Sequence, residues 1–250
     1  MKVSVITVCL NAEKTIAETL QSVAKQSYKD IEHIIIDGAS TDSTLEVIKA
    51  NESRVSKLVS EPDQGLYDAM NKGLAIVSGD IVGILNADDI YQDSQVVECI
   101  VQQFEDGSID ATYADLVYVD QENTQKVRRK YTSGLYQSGQ CFDGWMPAHP
   151  TLYIRREAHE KIGPYNLKVG AQADLEYCAR AFELHHICTR YVDQTWVRMR
   201  LGGISNKNML HRIKANWRSY QALKRLGLKS KPMVFFFRKF AGKLPGYIDR

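Results

Sequence analysis

Ile31-Glu32-His33-Ile34-Ile35-Ile36-Asp37-Gly38-Ala39-Ser40-Thr41-Asp42 is the stretch on which the fold turns. Its first half is a short apolar run centred on Ile34-Ile35-Ile36, the pattern of a strand buried on both faces. Its second half is a polar turn, and Asp42 can cap the helix expected over residues 43–50. A buried strand that runs through a polar turn into a helix is one half of a β-α-β unit.

The same unit recurs on either side. Residues 3–8 form a buried strand, and residues 12–26 carry Ile16, Leu20 and Val23 on one helical face. Residues 55–60 are a third strand, 65–78 a helix, and 81–86 a fourth strand. Repeated β-α units imply a parallel sheet with right-handed crossovers. The next hundred residues are more mixed. Helices are expected at 94–104 and 172–184, and strands at 111–119, 151–155 and 187–198, with 125–131 returning beside 111–119. A loop at 201–204 precedes a basic helix at 206–226 and a short apolar, basic segment at 232–244.

Composition sets outer limits. The chain has 250 residues, 44% hydrophobic and 25% charged, the mix of a globular protein rather than a disordered one. The net charge of +2 hides an asymmetry. Residues 207–250 hold 12 Lys or Arg against Asp249 alone, so the remainder carries a net −9. A globally basic nucleic-acid binder is therefore disfavoured. The five cysteines, Cys9, Cys99, Cys141, Cys178 and Cys188, are scattered without C-x-x-C or zinc spacing, as expected of reduced thiols in a cytoplasmic protein. No signal peptide or bilayer-length apolar run is evident.

Polar residues gather where the first four strands end: Asn11; Asp37 to Asp42; Glu61-Pro62-Asp63-Gln64-Gly65; and Asn86-Ala87-Asp88-Asp89. Ligands of parallel sheets sit beyond the carboxyl ends of the strands, so all four groups are expected to face one crevice. A single Asp or Asn in a turn is ordinarily a turn former. Four successive strand ends of this character favour a site. Neither G-x-G-x-x-G nor G-x-x-x-x-G-K-[ST] is present, which argues against dinucleotide oxidoreductases and P-loop NTPases. Adjacent acids after a strand suit a divalent cation that bridges carboxylates and phosphate.

These blocks resemble glycosyltransferases of the large family 2, with the GT-A nucleotide-diphospho-sugar fold, over about residues 2–205. Residues 3–8 with Asn11 are similar to the family's opening strand, and Asp37-Gly38-Ala39-Ser40-Thr41-Asp42-Ser43-Thr44 to its D-G-S-T-D-x-T block. Residues 60–73, SEPDQGLYDAMNKG, resemble a bacterial polysaccharide-building, colanic-acid-type branch. Leu85-Asn86-Ala87-Asp88-Asp89 stands at the family's D-x-D position, with Asn86 in place of the first Asp.

The resemblance implies an α/β fold: a Rossmann-like, mostly parallel central sheet flanked by helices, with a basic C-terminal tail. It places a catalytic domain at 1–206 and the tail at 207–250. It implies that Asn11, Asp37, Lys72, Asp88, Gly203 and Ser205 meet the donor, Asp37 at the nucleotide base and Asp88 at the ribose or as a partner behind the metal ligand. Asp89 would hold Mn²⁺ or Mg²⁺. Asp174, in Gly170-Ala171-Gln172-Ala173-Asp174, would be the catalytic base, whereas Glu176 points to another helix side. His149 and Trp145 are acceptor-side candidates, weighed against a structural histidine and a core indole. Arg198 and Arg200 could reach the diphosphate or lie in solvent.

The activity implied is inverting transfer from a nucleotide-diphosphate sugar to a glycan or polyprenyl-linked acceptor, at the inner face of the cytoplasmic membrane. The tail's aromatics among Lys and Arg suit anionic lipid, and no nucleic acid is expected. A sugar nucleotidyltransferase usually opens with a Gly-rich basic loop, and residues 8–14 contain no Gly. A non-catalytic carbohydrate or nucleotide-binding module would not need both Asp89 and Asp174.

Overall fold

The computed structural model describes residues 1–202, 209–227 and 231–241. Strands β1 (Val3–Cys9), β2 (Ile31–Asp37), β3 (Val55–Ser60) and β4 (Ile81–Ile84) form the parallel part of the sheet in the order β3-β2-β1-β4. Register aligns their carboxyl ends: Cys9 pairs with Asp37, and Asp37 with Ser60. The sheet continues through β8 (Tyr153–Arg155), β6 (Ala111–Val119), β9 (Thr189–Arg200) and β5 (Asp89–Tyr91), while β7 (Val127–Tyr131) pairs with β6. β6 and β9 run parallel to each other, and both are reached through the antiparallel β8. Among the described residues, β1, β2, β3, β4, β6 and β9 therefore point one way, as a mostly parallel α/β sheet requires.

Alternation along β2 shows how the layers assemble. Ile34 and Ile36 join a core with Ala69, Met70 and Tyr177, whereas Ile35, between them, joins Ile16, Leu20 and Ile48 on the opposite face. Each such burial stabilises by roughly 1.5–3 kcal/mol. The first face carries α3 (Leu66–Ile76) and α6 (Ala173–Ala179). The second carries α1 (Ile16–Ala24), α2 (Thr44–Ala50) and α4 (Val96–Gln103). Helices α7 (Met209–Arg225) and α8 (Pro232–Ala241) follow, and their Tyr220, Ala222, Leu223 and Phe235 enter the first core.

Several boundaries differ from expectation for local reasons. α1 starts at Ile16 rather than residue 12, because the Asn11 and Ala12 amides donate to Ser40 and Thr44 side chains. α3 stops at Ile76, where Ser78 turns away to give its amide and hydroxyl to Glu32 at 2.8 and 2.7 Å. The expected helix at 172–184 is α6 followed by a π-helical turn at Arg180–Leu184. In that turn the Glu183 carboxylate accepts the Gly139 and Cys141 amides. α5 (Arg156–Ile162) and β5 were not expected: α5 buries only Ala158 and Ile162, and β5 has three residues. The parts of the expected tail at 207–208, 228–230 and 242–250 lie outside the described residues.

Candidate active site

At the end of β2, Asp37 is fully buried. Its carboxylate accepts the Ser40 amide at 3.0 Å and hydroxyl, the Ser60 hydroxyl at 2.7 Å and the Cys9 thiol at 3.5 Å. Burial alone would raise its pKa, but these donors win and hold it below the ordinary carboxylate value. Asp37 thereby folds the loop after β2. Asn11 completes the loop from the end of β1, accepting the Thr41 amide at 2.9 Å from a left-handed backbone with φ of 51°. Next to Asp37, a Cβ on Gly38 would come within 2.3 Å of Asp63 Oδ2, so the Asp63 side chain of the β3–α3 loop lies directly over the β2 turn. Asp63 is thus brought to the Asp37 turn, a placement that requires the sheet register and is invisible in the linear spacing.

The SEPDQGLYDAMNKG stretch resolves into two faces of α3. Asp68 and Lys72, four apart, turn toward the loop before the helix. Asp68 accepts the Gln64 amide at 3.0 Å, and Lys72 meets Glu61 at 2.8 Å and the Pro62 carbonyl at 2.7 Å. The bond to Glu61 raises the Lys72 pKa. Tyr67 and Asn71, also four apart, face the later part of the chain. The Asn71 amide clasps the Tyr165 backbone in both directions, at 2.8 and 2.9 Å. Tyr67 lies against Tyr165, and its hydroxyl donates to the Ala171 carbonyl at 3.5 Å. Burial, then the Asp174 charge, pushes the Tyr67 pKa well up.

β4 delivers Asn86, Asp88 and Asp89. Asp89 is fully buried, and β5 pairs it with Met199 of β9. Its Oδ2 accepts from Asn86 Nδ2 at 3.1 Å. Its Oδ1 and the Asn86 Oδ1 are buried without a hydrogen-bond partner. Burial, then the neighbouring Asp88, raises the Asp89 pKa well above normal, against the Asn86 bond and Arg200. Two orphaned buried oxygens on adjacent side chains are what a cation would satisfy, and so they fit a divalent metal. Among the described residues no cluster of three or more acidic, His or Cys side chains surrounds them. One or two carboxylates completed by substrate phosphates is the usual Mg²⁺ arrangement.

Arg200 secures this corner. It is 5% exposed and donates to the Asp88 carbonyl at 2.7 Å, to Glu18 at 2.7 Å and to the Gln121 carbonyl at 3.2 Å. Arg198 is likewise held by Gln92 and the Thr124 carbonyl. Both arginines brace the β5–β9 edge instead of standing in solvent.

Asp174 sits in the first turn of α6 with its Oδ1 on the Leu175 amide at 2.8 Å. Its charge reaches Tyr67, Tyr165 and His149. His149 Nε2 bonds the Tyr165 hydroxyl at 2.8 Å, and burial lowers its pKa against the pull of Asp174. The imidazole is therefore neutral at pH 7. Glu176 does turn to another side, where Arg180 grips both of its oxygens at 3.1 Å. Trp145 packs among Tyr113, Tyr136 and Phe182, with Nε1 donating to the Ser133 carbonyl at 2.9 Å.

The strand ends thus place Asn11 and Asp37 in one loop, Lys72 of α3 against the neighbouring loop, and Asp88 with Asp89 at the β4 end. Asp174 and His149 form a further group, joined to α3 through Tyr67 and Tyr165. Among the described residues no direct hydrogen bond or ion pair joins the Asp88–Asp89 pair to Asp37, Lys72 or Asp174. Gly203 and Ser205 lie outside the described residues. Tyr67 and Asn71 were missed as site residues. Their spacing in YDAMN carried a signal, but their partners lie far along the chain.

Comparison with known proteins identifies the family and the fold. The family model described as "Glycosyl transferase family 2" matches residues 4–163. A PGL/p-HBAD biosynthesis glycosyltransferase of Mycobacterium bovis is 28% identical over 208 residues, which cover 81% of this chain and 78% of the relative. An uncharacterized glycosyltransferase of Mycobacterium tuberculosis is 32% identical over 192 residues, 72% of this chain and 68% of its own. Among solved structures, S. aureus TarS 1-349 in complex with UDP-GlcNAc superposes with a TM-score of 0.71 at 17% identity, over 96% of this chain and 73% of that one. The mannosyltransferase PcManGT from Pyrobaculum calidifontis in complex with GDP-Man and Mn²⁺ gives 0.67 at 19% identity, over 96% and 69%. At these identities the structural likeness speaks for the GT-A fold alone.

Proposed function

The chain belongs to glycosyl transferase family 2, and from that premise we propose that it transfers a sugar, with inversion, from a nucleoside-diphosphate donor to a hydroxyl of a growing glycan. The observation that carries this reading is the pair of unpaired buried oxygens, Asp89 Oδ1 and Asn86 Oδ1, at the end of β4. Asp89 would hold a divalent cation, Mn²⁺ or Mg²⁺, which would supply Lewis-acid stabilisation to a departing diphosphate. TarS and PcManGT, which hold UDP-GlcNAc and GDP-Man, suggest the chemical class of the donor.

The chain's own residues supply the rest. The loop built by Asn11 and Asp37 receives the nucleoside, and Asp88 the ribose. Lys72 binds on the donor side, together with Gly203 and Ser205. Asp174 accepts the proton of the acceptor hydroxyl as its oxygen bonds to the anomeric carbon and the bond to the diphosphate breaks. The Leu175 amide orients that carboxylate, and Tyr67 holds the Ala171 carbonyl in the turn before it. Neutral His149 and Trp145 lie on the acceptor side. The acceptor is a glycan, lipid-linked, in cell-surface polysaccharide synthesis.

The tail adds a peripheral contact with anionic lipid on the cytoplasmic side. Phe235 is buried and anchors α8, whereas Met233 and Phe237 are 84% and 74% exposed beside the half-exposed Trp217. The excess positive charge of residues 207–250 lies in the same segment. Among the described residues no helix is long and apolar enough to cross a membrane.

The test is thermal shift against a panel of nucleoside-diphosphate sugars, with and without Mn²⁺. One donor class should raise the melting temperature in wild type with Mn²⁺ and lose most of the shift in Asp89→Ala. Shifts that ignore both metal and Asp89 would refute the metal assignment.

A further inference from the structure

Gln172 immediately precedes α6. Its side chain makes no capping hydrogen bond to that helix. Instead its Nε2 donates to Asn216 Oδ1 at 3.0 Å, and its Oε1 accepts the Ser219 hydroxyl. Both halves of the amide are thus held by α7, although about forty residues separate the partners.

The same turn meets α7 at a second point. Gly170 has φ of 74°, and a Cβ there would lie 3.4 Å from Arg218 Nη1. α7 is itself fixed from below. Ser219, Tyr220 and Leu223 are 1%, 4% and 0% exposed, and Tyr220 and Leu223 share a core with Val169, Ala173 and Tyr177. The start of α6 is therefore gripped by a rigid neighbouring helix. Asp174 is two residues beyond Gln172, in the first turn, so a rotation or shift at Gln172 moves its carboxylate directly.

We propose that Asn216 and Ser219 are positioning residues for Asp174 and act on it through Gln172, which makes α7 part of the catalytic unit as well as the root of the basic tail. This rests on the assignment of Asp174 as base. A general base must hold a narrow geometry toward the acceptor hydroxyl, and a misplacement of about 1 Å costs on the order of 100-fold in rate. Loss of one of two hydrogen bonds from the amide gives a smaller displacement, and about tenfold in kcat is expected.

The experiment uses the full chain with Gln172→Ala and Asn216→Ala, both at half-buried positions. Each variant should lower kcat about tenfold, with donor KM and melting temperature close to wild type. Asn216→Asp keeps an acceptor oxygen for the Gln172 amide and should recover most of the rate. In an Asp174→Asn background, where no base remains to be positioned, Asn216→Ala should change the residual rate less than about twofold. A wild-type kcat in both alanine variants overturns the proposal while leaving the base in place. So does an undiminished tenfold loss in the Asp174→Asn background, which marks a purely structural contact. Full turnover in Asp174→Asn alone overturns the base assignment and this proposal with it.

Discussion

The phenol of Tyr67, in the first turn of α3, donates to the Ala171 carbonyl at 3.5 Å, in the turn that leads into α6 and Asp174. The contact ties one face of α3 to the start of α6, where the Leu175 amide holds the Asp174 carboxylate at 2.8 Å. Tyr67→Phe removes the hydroxyl and keeps the ring against Tyr165. Turnover should fall roughly tenfold as the turn before Asp174 loses an orienting partner, with donor affinity unchanged. Steady-state kinetics check this, and wild-type kcat would show that the hydroxyl does not orient the acid.

Asn71 holds the Tyr165 backbone by two hydrogen bonds, to its amide and its carbonyl. Asn71→Ala leaves both backbone groups without that partner beside a tyrosine that is 4% exposed. A loss of about 2 kcal/mol is expected in urea unfolding. His149, bonded to the Tyr165 hydroxyl, should shift in its imidazole NMR signals in the same variant. A change under about 0.5 kcal/mol would mean that water replaces the clasp.

Much of this framework was legible in the linear chain. The Ile34-Ile35-Ile36 run announced a strand buried on both faces, and the structure gives those residues 1% exposure or less. The polar strand ends were expected on one edge, and parallel strands in register bring Cys9, Asp37 and Ser60 level with one another. What the chain could not disclose depends on distant partners. Asp37 looks like an open acid by spacing, yet four donors from Cys9, Ser40 and Ser60 enclose it. Arg200 looks like a free cation, yet it spans Asp88, Gln121 and Glu18. β5 is three residues long and has no periodicity to detect, although it is what buries Asp89. The π-turn at Arg180–Leu184 follows α6 without a break in helical pattern.

Asp37→Asn tests the enclosure. An amide places an N–H donor where the carboxylate now faces Ser40 and Cys9 on one oxygen and the Ser40 amide and Ser60 on the other. Destabilisation of about 2 kcal/mol is expected in urea unfolding, with weakened donor binding as the loop loosens. Unchanged stability would show that the four donors are not what holds the β2 turn.

Burial holds His33 and His159 neutral, with pKa values lowered from 6.5 to about 3. Between pH 6.5 and 3 the unfolded chain binds protons that the folded chain refuses. Stability should therefore be full above pH 6.5 and fall as the pH drops through that window, by up to about 1.4 kcal/mol per pH unit for each histidine. Urea midpoints at pH 7.5, 6.0 and 5.0 measure it. His33→Gln should flatten part of the slope, and a wild-type midpoint that does not move over this range contradicts the burial of these imidazoles.

Central to the account is that Asp174 removes the proton from the acceptor hydroxyl at the carboxyl edge of a donor-binding sheet. Release of nucleoside diphosphate from the matched donor, followed with acceptor present in wild type and Asp174→Asn, tests it most directly. Turnover in the variant should fall by about 10²–10⁴-fold, with the donor-induced rise in melting temperature unchanged. Asp174→Asn turning over at the wild-type rate would contradict it.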